Sequence, residues 1–230
     1  MTRTKISYRS ATSTDIPAIA QLLNSIFDDN ASNLDVDNGV VGTESEKNDE
    51  NKNTFMWDSL DTSSKEEQLS PEEQREFIRK QLAKRMADTK KEGSLPHSFL
   101  VATVPSSEVS VSTSEPQEDL LIGFLEIGTL PSPFGGNVEM PYIGNVAVAN
   151  EARRRKVGST LVRLATKIAS KWCTPSSKES AFPPFLFLSV ERDNRDALLF
   201  YERLGFEELS VGKTANSGVK EKVYLAREID

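Results

Sequence analysis

The sequence predicts an α/β (α+β) fold in which a mixed central sheet of about six to seven strands is flanked by helices. Two observations predict it. Short apolar or alternating segments, typical of strands, are interleaved with stretches whose apolar residues recur every three to four positions, typical of helices. The longest such unit, residues 142–172, predicts a buried strand, a tight basic turn and an apolar-striped helix. The predicted order is β-α-α-β-β-β-α-β-α-β-β.

The first half of the chain predicts one strand followed by two helices. Residues 5–9 alternate like a strand, and Ser13, Thr14, Asp15 and Pro17 are typical of a helix start. The segment Ser70-Pro-Glu-Glu73 is a capping box with proline in the first turn, and Gly93 is expected to end the helix that it opens. The apolar stripe of that second helix consists of Phe77, Ile78, Leu82 and Met86.

The second half predicts six strands and two helices. Gly123 suggests a bulge within one of the strands, and Gly205 is expected to end the last helix. The strands are expected at residues 98–104, 119–130, 142–149, 185–190, 206–209 and 220–227, and the helices at 157–172 and 194–204.

Two polar segments are expected to be insertions in a single domain that spans residues 1–230. Residues 28–69 are rich in Asn, Asp, Glu, Ser and Thr, which predicts a flexible acidic insertion. Between Asp28 and Glu73, fourteen acidic residues and three lysines give a net charge of −11, whereas the whole chain carries −7. Residues 105–118 predict a Ser/Glu-rich loop between two strands.

Composition narrows the class of protein and its surroundings. Cys173 is the only cysteine, so an intramolecular disulfide is excluded and a reducing intracellular compartment is expected. That compartment would be the cytoplasm or, if a presequence was removed, the plastid stroma. We expect no membrane association, because no apolar run approaches the roughly 18 residues of a membrane span. The acidic balance predicts no nucleic-acid partner, and we expect a monomer or weak dimer.

The basic turn at Arg153, Arg154, Arg155 and Lys156 predicts an anion site. A helix N-terminus ordinarily favours acidic side chains, so four cations beside it are costly unless an anion is bound there. The backbone N–H groups of such a turn also converge on one point. These residues therefore favour a compact phosphate site, the alternative being a solvated charge run.

The same residues resemble a known family. The pattern hydrophobic-x-V-x-x-x-x-R-x-x-x-x-G-x-x-L is similar to motif A of the GNAT superfamily of acetyl-CoA-dependent N-acetyltransferases. Residues 194–206, with their Asn, Ala, Tyr and Leu-Gly-Phe, resemble the family's second signature. One departure is that Lys156 stands where the family has its first glycine. The resemblance implies the GNAT fold, acetyl-CoA as cosubstrate and no metal.

The resemblance also implies roles for particular residues. The tyrosine of the second signature, Tyr201, would donate a proton to the departing CoA thiolate, which suits a phenol with a pKa of about 10. Asn194 lies seven residues earlier, where it would contact the cofactor or simply cap its helix. The implied cofactor-binding set is Val146, Ala147 and Val148 through their backbone, Arg153, Arg154, Arg155, Lys156, Val157, Gly158, Ser159 and Thr160 around the pyrophosphate, and Asn194 and Tyr201.

The base that receives the amine proton is less clearly marked. Many N-terminal acetyltransferases carry Glu or His where this chain has Ser189, and some carry a tyrosine where it has Tyr142. Tyr142 is therefore the candidate base, the alternative being an ordinary packed strand aromatic. Glu126 and Glu191 are weaker candidates. His97 is expected to be a surface loop residue.

The acceptor implied by the resemblance is a protein or peptide amine. The motif sequences look most like those of ribosomal-protein and plastid or bacterial-type N-terminal acetyltransferases. This resemblance implies an N-terminal α-amine as the acceptor, with lysine side chains as a second class of acceptor. Two alternatives stay open. One is a small-molecule acetyltransferase acting on a polyamine or aminoglycoside, and the other is a non-catalytic acetyl-CoA-binding module.

Overall fold

Within the described part of the chain, seven strands and four helices follow one another in the predicted order. The structure, a computed structural model, describes residues 5–31, 70–91, 93–105, 119–132, 138–173, 184–209 and 222–229. The strands are β1 Ser7–Ser10, β2 Ser98–Val104, β3 Leu120–Pro131, β4 Glu139–Val148, β5 Phe185–Glu191, β6 Glu207–Glu208 and β7 Lys222–Glu228. The helices are α1 Ile16–Ala31, α2 Pro71–Asp88, α3 Val157–Cys173 and α4 Arg195–Glu202.

The strands form one mixed sheet in the order β1-β2-β3-β4-β5-β7-β6. Neighbouring strands are antiparallel except for β4 and β5, which are parallel. The parallel step requires a crossover, and α3 supplies it. The predicted mixed sheet of six to seven strands flanked by helices is confirmed.

The helices cover the two faces of the sheet. On one face, α1 and α2 pack against Phe99, Val101, Phe124 and Ala147. On the other face, α3 packs against a larger cluster from β2, β3, β4, β5 and β7. A Cβ atom at Gly123 would lie 2.7 Å from Cγ1 of Val157, so glycine is what lets α3 approach β3 this closely.

The irregularity predicted at Gly123 is present. Ala102 pairs with Gly123 whereas Thr103 pairs with Leu121, so β3 carries one extra residue at this point. Such a bulge increases the local twist of the sheet.

The second helix begins as the capping box predicts. The Ser70 N–H donates to Glu73 Oε2 at 2.8 Å, and the Glu73 N–H donates to Ser70 Oγ at 3.4 Å. Its buried residues Ile78 and Leu82 pack in the same apolar cluster as the buried residues of α1. Full burial of each side chain stabilises the fold by about 1.5–3 kcal/mol. The helix ends at Asp88, several residues before Gly93, which has a φ of 76°.

Two element boundaries differ from the sequence prediction. α1 continues to Ala31, so its last residues lie inside the range that composition assigned to the acidic insertion, and the remainder of that insertion, 32–69, is outside the described residues. The loop predicted at 105–118 is outside them too, apart from Pro105. β4 begins at Glu139 and not at the predicted Tyr142, so the strand includes Pro141. The bond from Ser132 N–H to Val138 O sets an alternation in which position 141 directs its backbone nitrogen away from β3, so its missing N–H costs no bond to β3.

Candidate active site

A cleft opens in the middle of the sheet where β4 and β5 diverge. The two parallel strands have one registered pair, Tyr142 with Phe187, near the start of both strands. Beyond it, β4 continues to Val148 alongside β3 and β5 continues to Glu191 alongside β7. The carboxyl ends of two neighbouring parallel strands therefore separate, which is the usual place for a ligand in an open α/β sheet.

A bulge in β4 accompanies this divergence. Leu125 pairs with Val146, whereas Ile127 pairs with Ile143, so the single residue Glu126 faces the two residues Gly144 and Asn145. β4 therefore has a bulge at Gly144 and Asn145, immediately before Val146. A bulge shifts which side chains and which N–H groups face each side of the strand.

The bulge determines which N–H groups of β4 face the cleft. The Ala149 N–H donates to Ile122 O at 3.0 Å, so in the alternating antiparallel pattern Ala147 also directs its N–H toward β3. Val146 and Val148 direct theirs to the opposite edge, where β5 has diverged. Arg153 Nε donates to the Val148 carbonyl at 3.5 Å, as expected for a group turned away from β3. Of the three predicted backbone positions, Val146 and Val148 are thus oriented to bind a ligand, and the Ala147 N–H belongs to the sheet.

The basic turn lies at the open end of this cleft. Residues 150–152 form a short 3-10 helix, and Arg153 to Lys156 turn into α3 with all four basic side chains exposed. The first N–H groups of α3, those of Val157, Gly158 and Ser159, lack the carbonyl partners that later turns of a helix provide, whereas the Thr160 N–H donates to the Lys156 carbonyl at 3.0 Å. Positive charge and unsatisfied donors converge here, so these residues fit the pyrophosphate of a CoA thioester.

Lys156 adopts the backbone conformation that glycine usually takes. Its φ is 66°, and that of Arg154 is 63°. The turn therefore keeps the shape of a glycine-containing loop despite the lysine, at a cost of about 1–2 kcal/mol for each non-glycine residue in this region. The departure from the family pattern alters the cost of the turn but not its path.

The first turn of α3 is close to both sides of the cleft. A Cβ atom at Gly158 would lie 3.3 Å from Cζ of Phe200 in α4 and 3.5 Å from Cγ2 of Val148 in β4. Val157 is buried, Ser159 is half-buried, and the Thr160 hydroxyl donates to the Lys156 carbonyl at 3.0 Å. The predicted pyrophosphate residues are therefore contiguous, with the Thr160 hydroxyl bracing the turn from within.

Tyr142 lies beside the start of the divergence. Its hydroxyl is 3.0 Å from Oγ of Ser189, and its ring packs edge-on against Phe187. The ring belongs to an apolar cluster with Met140 and Ala226. Tyr142 is thus both a packed aromatic and the carrier of a polar group at the cleft.

Tyr201 lies on the opposite side of the divergence, on α4. Its side chain is buried against Phe200 and Phe206. Burial, together with the nearby phenol of Tyr142, raises the pKa of Tyr201. A phenol with a raised pKa remains protonated and can act as a hydrogen-bond or proton donor.

Asn194 caps α4. Its side-chain oxygen accepts a hydrogen bond from the Ala197 N–H at 3.1 Å. Asn194 therefore has the capping role that its sequence position offered as one alternative, and its contact with a cofactor stays a prediction. By capping α4 it fixes the helix that carries Tyr201.

One polar cluster beside the bulge was not anticipated as a unit. Glu126 is fully buried and interacts with His97, Arg85 and Asn145. The expectation that His97 is a surface residue was wrong, because its side chain is only 12% exposed and its ring stacks on Phe99. A glutamate within the apolar run of β3 was the available signal, since a buried carboxylate requires partners.

The weaker base candidates differ in their surroundings. Both carboxylate oxygens of Glu126 are engaged by the cluster, whereas Glu191 ends β5 and is half-buried. Burial raises the pKa of Glu139 at the other end of β4. Burial also raises the pKa of the Cys173 thiol, which makes that thiol a poorer nucleophile.

Metal sites and membrane-spanning helices are both absent from the described residues. In that part of the chain, no group of three or more His, Cys, Asp or Glu side chains could hold a metal ion. None of the helices described there has the length and apolar character needed to cross a membrane.

Comparison with known proteins agrees with this geometry. The family model described as the acetyltransferase (GNAT) domain matches residues 106–208. PaiA N-acetyltransferase from Thermoplasma acidophilum, solved with coenzyme A, is similar in fold at 16% identity, with a TM-score of 0.52 over 97% of this chain and 99% of that one. A GNAT acetyltransferase from Staphylococcus aureus Mu50 has a TM-score of 0.53 at 13% identity over 98% and 100%.

A third solved structure of similar fold is Arabidopsis thaliana NAA60 with a bisubstrate analogue, with a TM-score of 0.52 at 15% identity over 98% of this chain and 100% of that chain. A search of the curated proteins found no match to this sequence. GNAT acetyltransferases use acetyl-CoA, which suits the cleft and the basic turn described above. The chain has the seven-stranded GNAT fold, and its residues 106–208 match the family model of the acetyltransferase (GNAT) domain.

Proposed function

We propose that this protein transfers an acetyl group from acetyl-CoA to the N-terminal α-amine of a protein or peptide. The observation that carries the proposal is the divergence of β4 from β5 beside the Tyr142 hydroxyl, which lies 3.0 Å from Oγ of Ser189. Burial raises the pKa of Tyr201 on α4, and the Tyr142 phenol adds to this effect electrostatically. One phenol on each side of the reacting centre suits a reaction that removes a proton from nitrogen and supplies one to sulfur.

The neutral character of the Tyr142 side favours an α-amine over a lysine. An α-amine has a pKa of about 7.7–8.0 and is largely neutral near pH 8, whereas a lysine at about 10.4 needs a stronger base. Tyr142 has a hydroxyl group, Ser189, as its hydrogen-bonding neighbour. The acidic side chain nearest the bulge, Glu126, is already engaged through both oxygens.

The proposed reaction is direct transfer. The amine nitrogen attacks the thioester carbon, the N–C bond forms, and the C–S bond breaks. The Val146 N–H stabilises the negative charge that develops on the carbonyl oxygen. The Val148 N–H lies about 7 Å further along the same edge of the strand and holds the pantetheine chain. Tyr142 receives the amine proton while its own hydroxyl proton passes to the Ser189 hydroxyl and on to solvent. Tyr201 protonates the departing sulfur and regains a proton from solvent before the next turnover. Holding the two substrates together supplies much of the remaining rate.

Some proteins of similar fold were solved with a peptide or a bisubstrate analogue bound. The NatC complex was solved with a Gag peptide and CoA, and its matched chain has a TM-score of 0.50 at 14% identity over 98% of this chain and 99% of that chain. NAA60 was solved with a bisubstrate analogue. At these identities the likeness concerns the fold, so the acceptor must be tested directly.

The test is an acetylation panel with the purified chain and labelled acetyl-CoA. The acceptors are peptides with free N-termini, the same peptides with blocked N-termini and one internal lysine, and polyamines, with products resolved by mass. We expect label on peptide α-amines. Label confined to polyamines or to lysine side chains would overturn the proposed acceptor, and cofactor binding without any transfer would overturn the activity.

A further inference from the structure

A buried polar cluster lies directly against the bulge in β4. Glu126, which has no exposed surface, accepts a hydrogen bond from Asn145 Nδ2 at 2.9 Å through Oε2. Its Oε1 lies 2.9 Å from His97 Nε2 and 3.4 Å from Arg85 Nε. Arg85 itself is only 3% exposed. The cluster thus ties β3, β4, the segment before β2 and α2 to one carboxylate.

The position of Asn145 gives this cluster a specific consequence. Gly144 and Asn145 are the two residues that face Glu126 in the bulge, and Asn145 immediately precedes Val146. In a regular strand, Glu126 would face one residue of β4 instead of two. The pairing of the following residues with β3 would then shift by one position, and each of their N–H groups would point to the opposite edge of the strand. The Val146 N–H would then face β3 instead of the cleft.

We infer that Glu126 and Asn145 are positioning residues, which hold the bulge so that the Val146 N–H is aimed at the thioester carbonyl. Arg85 and His97 fix the carboxylate that receives the Asn145 amide. This inference rests on the proposed acetyl transfer, but it concerns the acetyl-CoA side of the reaction and not the acceptor.

A purely stabilising role would make different demands. A buried ion pair often contributes little net stability compared with apolar side chains of similar volume. Charge pairing alone would not require a hydrogen bond to the side chain of a bulge residue. Here the carboxylate oxygen that does not contact Arg85 or His97 bonds to the bulge, so the link to β4 is what the cluster adds beyond charge pairing.

The experiment compares three variants with the wild type. Asn145→Ala removes the bond to Glu126. Asn145→Asp opposes two carboxylates, and the double variant Glu126→Gln/Asn145→Asp restores a bond with donor and acceptor exchanged. Thr103→Val is the control, because Thr103 is also a buried polar residue at a sheet irregularity, bonded to Asp119 at 3.4 Å, but on β2.

The main measurement is the infrared carbonyl stretch of acetyl-CoA labelled with carbon-13 at the thioester and bound to each protein. A hydrogen bond from Val146 lowers this frequency, and the measurement needs no acceptor. We expect the lowered frequency in the wild type, in Thr103→Val and in the double variant, and its loss in Asn145→Ala and Asn145→Asp. For transfer, we expect kcat to fall roughly 10- to 100-fold in Asn145→Ala, while the Kd for acetyl-CoA stays within about threefold.

The outcomes separate this inference from the proposed acceptor. If the wild type acetylates no peptide but Asn145→Ala still loses the frequency shift, the acceptor proposal fails and the inference stands. An unchanged carbonyl frequency in Asn145→Ala, or an equal loss in Thr103→Val, overturns the inference whatever the acceptor. Failure of the double variant to recover more than Asn145→Asp also counts against it.

Discussion

The hydroxyl oxygen of Tyr142 lies 3.0 Å from Oγ of Ser189, and this contact joins β4 to β5 just where the two strands begin to separate. Both residues lie on the face of the sheet against which α1 and α2 pack, as does the apolar cluster that includes Tyr224. A hydroxyl pair therefore occupies the position where a stronger base was sought from the sequence.

Removal of the Tyr142 hydroxyl tests its part in the reaction. We expect Tyr142→Phe to lower kcat by about 10²-fold, because loss of a positioned acid or base typically costs that much. Ser189→Ala should lower it much less, since it removes only the neighbour. Tyr8→Phe, the same change on β1, is the control. Steady-state rates of peptide acetylation check this, and equal losses in Tyr142→Phe and Tyr8→Phe would contradict it.

The Tyr201 hydroxyl should matter for the departing sulfur. We expect Tyr201→Phe to lower kcat about 10²-fold with little change in the Kd for acetyl-CoA. Burial raises the pKa of Tyr201, so its proton is retained through the ordinary phenol value of about 10. The rate of the wild type should therefore show no alkaline loss due to Tyr201 below that pH. An alkaline loss near pH 8 that disappears in Tyr201→Phe would refute this assignment.

Charge at the basic turn should control cofactor affinity. We expect Arg153→Glu/Arg155→Glu to raise the Kd for acetyl-CoA at least about 10-fold, since hydrogen bonds to a charged group contribute roughly 1.5–3 kcal/mol each. Arg163→Glu/Lys167→Glu makes the same change in net charge on the exposed side of α3 and should have a much smaller effect. Calorimetric titration at two salt concentrations measures both. Equal Kd changes in the two variants would mean that the turn acts only through overall charge.

The left-handed backbone of Lys156 can be separated from its charge. Lys156→Ala removes the charge and keeps the strain, whereas Lys156→Gly removes both, because glycine adopts a φ near 66° without penalty. We expect Lys156→Gly to unfold with a free energy about 1 kcal/mol above that of Lys156→Ala. Denaturant titration gives the difference. Equal stability would show that position 156 bears no backbone strain.

The Arg9–Asp15 pair should make stability depend on pH at the acid end. Hydrogen bonds from the Arg9 guanidinium, at 2.7 Å, and from Thr12 lower the pKa of Asp15 to about 2. A lowered pKa contributes stability above the unfolded value of about 3.9, and this contribution is lost as pH falls toward the folded value. We expect Asp15→Asn to lose about 1 kcal/mol at pH 7.

The difference between wild type and Asp15→Asn should shrink as pH falls from about 4 to about 2. Unfolding free energies measured across that range check it, with Asp196→Asn, an exposed acidic residue of α4, as the control. A difference that persists unchanged at pH 2 would rule out the ionised pair as its source.

Much of the fold follows from local pattern. The alternation and apolar runs of β2, β3 and β5 define their places in the sequence, and the capping box at Ser70 marks the start of α2. The start of β4 was misjudged because proline is normally read as a strand limit, and only the pairing with β3 shows that the Pro141 nitrogen needs no partner there. Such cross-strand phase is a tertiary property.

Some residues of the candidate site could be predicted from the sequence, and others could not. Residues 153–160 and Tyr201 stood out because their chemistry is marked by local sequence. The partners of Glu126 did not, since Arg85, His97 and Asn145 come from separate elements that only folding brings together. Likewise, the choice of Val146 and Val148 over Ala147 depends on the bulge, whose location no local propensity encodes.

The interrupted pairing of β4 and β5 affects how readily these two strands open locally. With one registered pair between them, these strands lack the continuous backbone bonding that slows amide exchange elsewhere in a sheet. A ligand in the gap would oppose opening of both edges, and it would add folding free energy in proportion to the logarithm of its concentration over its Kd. Cellular acetyl-CoA would then act on this protein twice, as a reactant and as the component that determines how long the two edges of the gap stay closed.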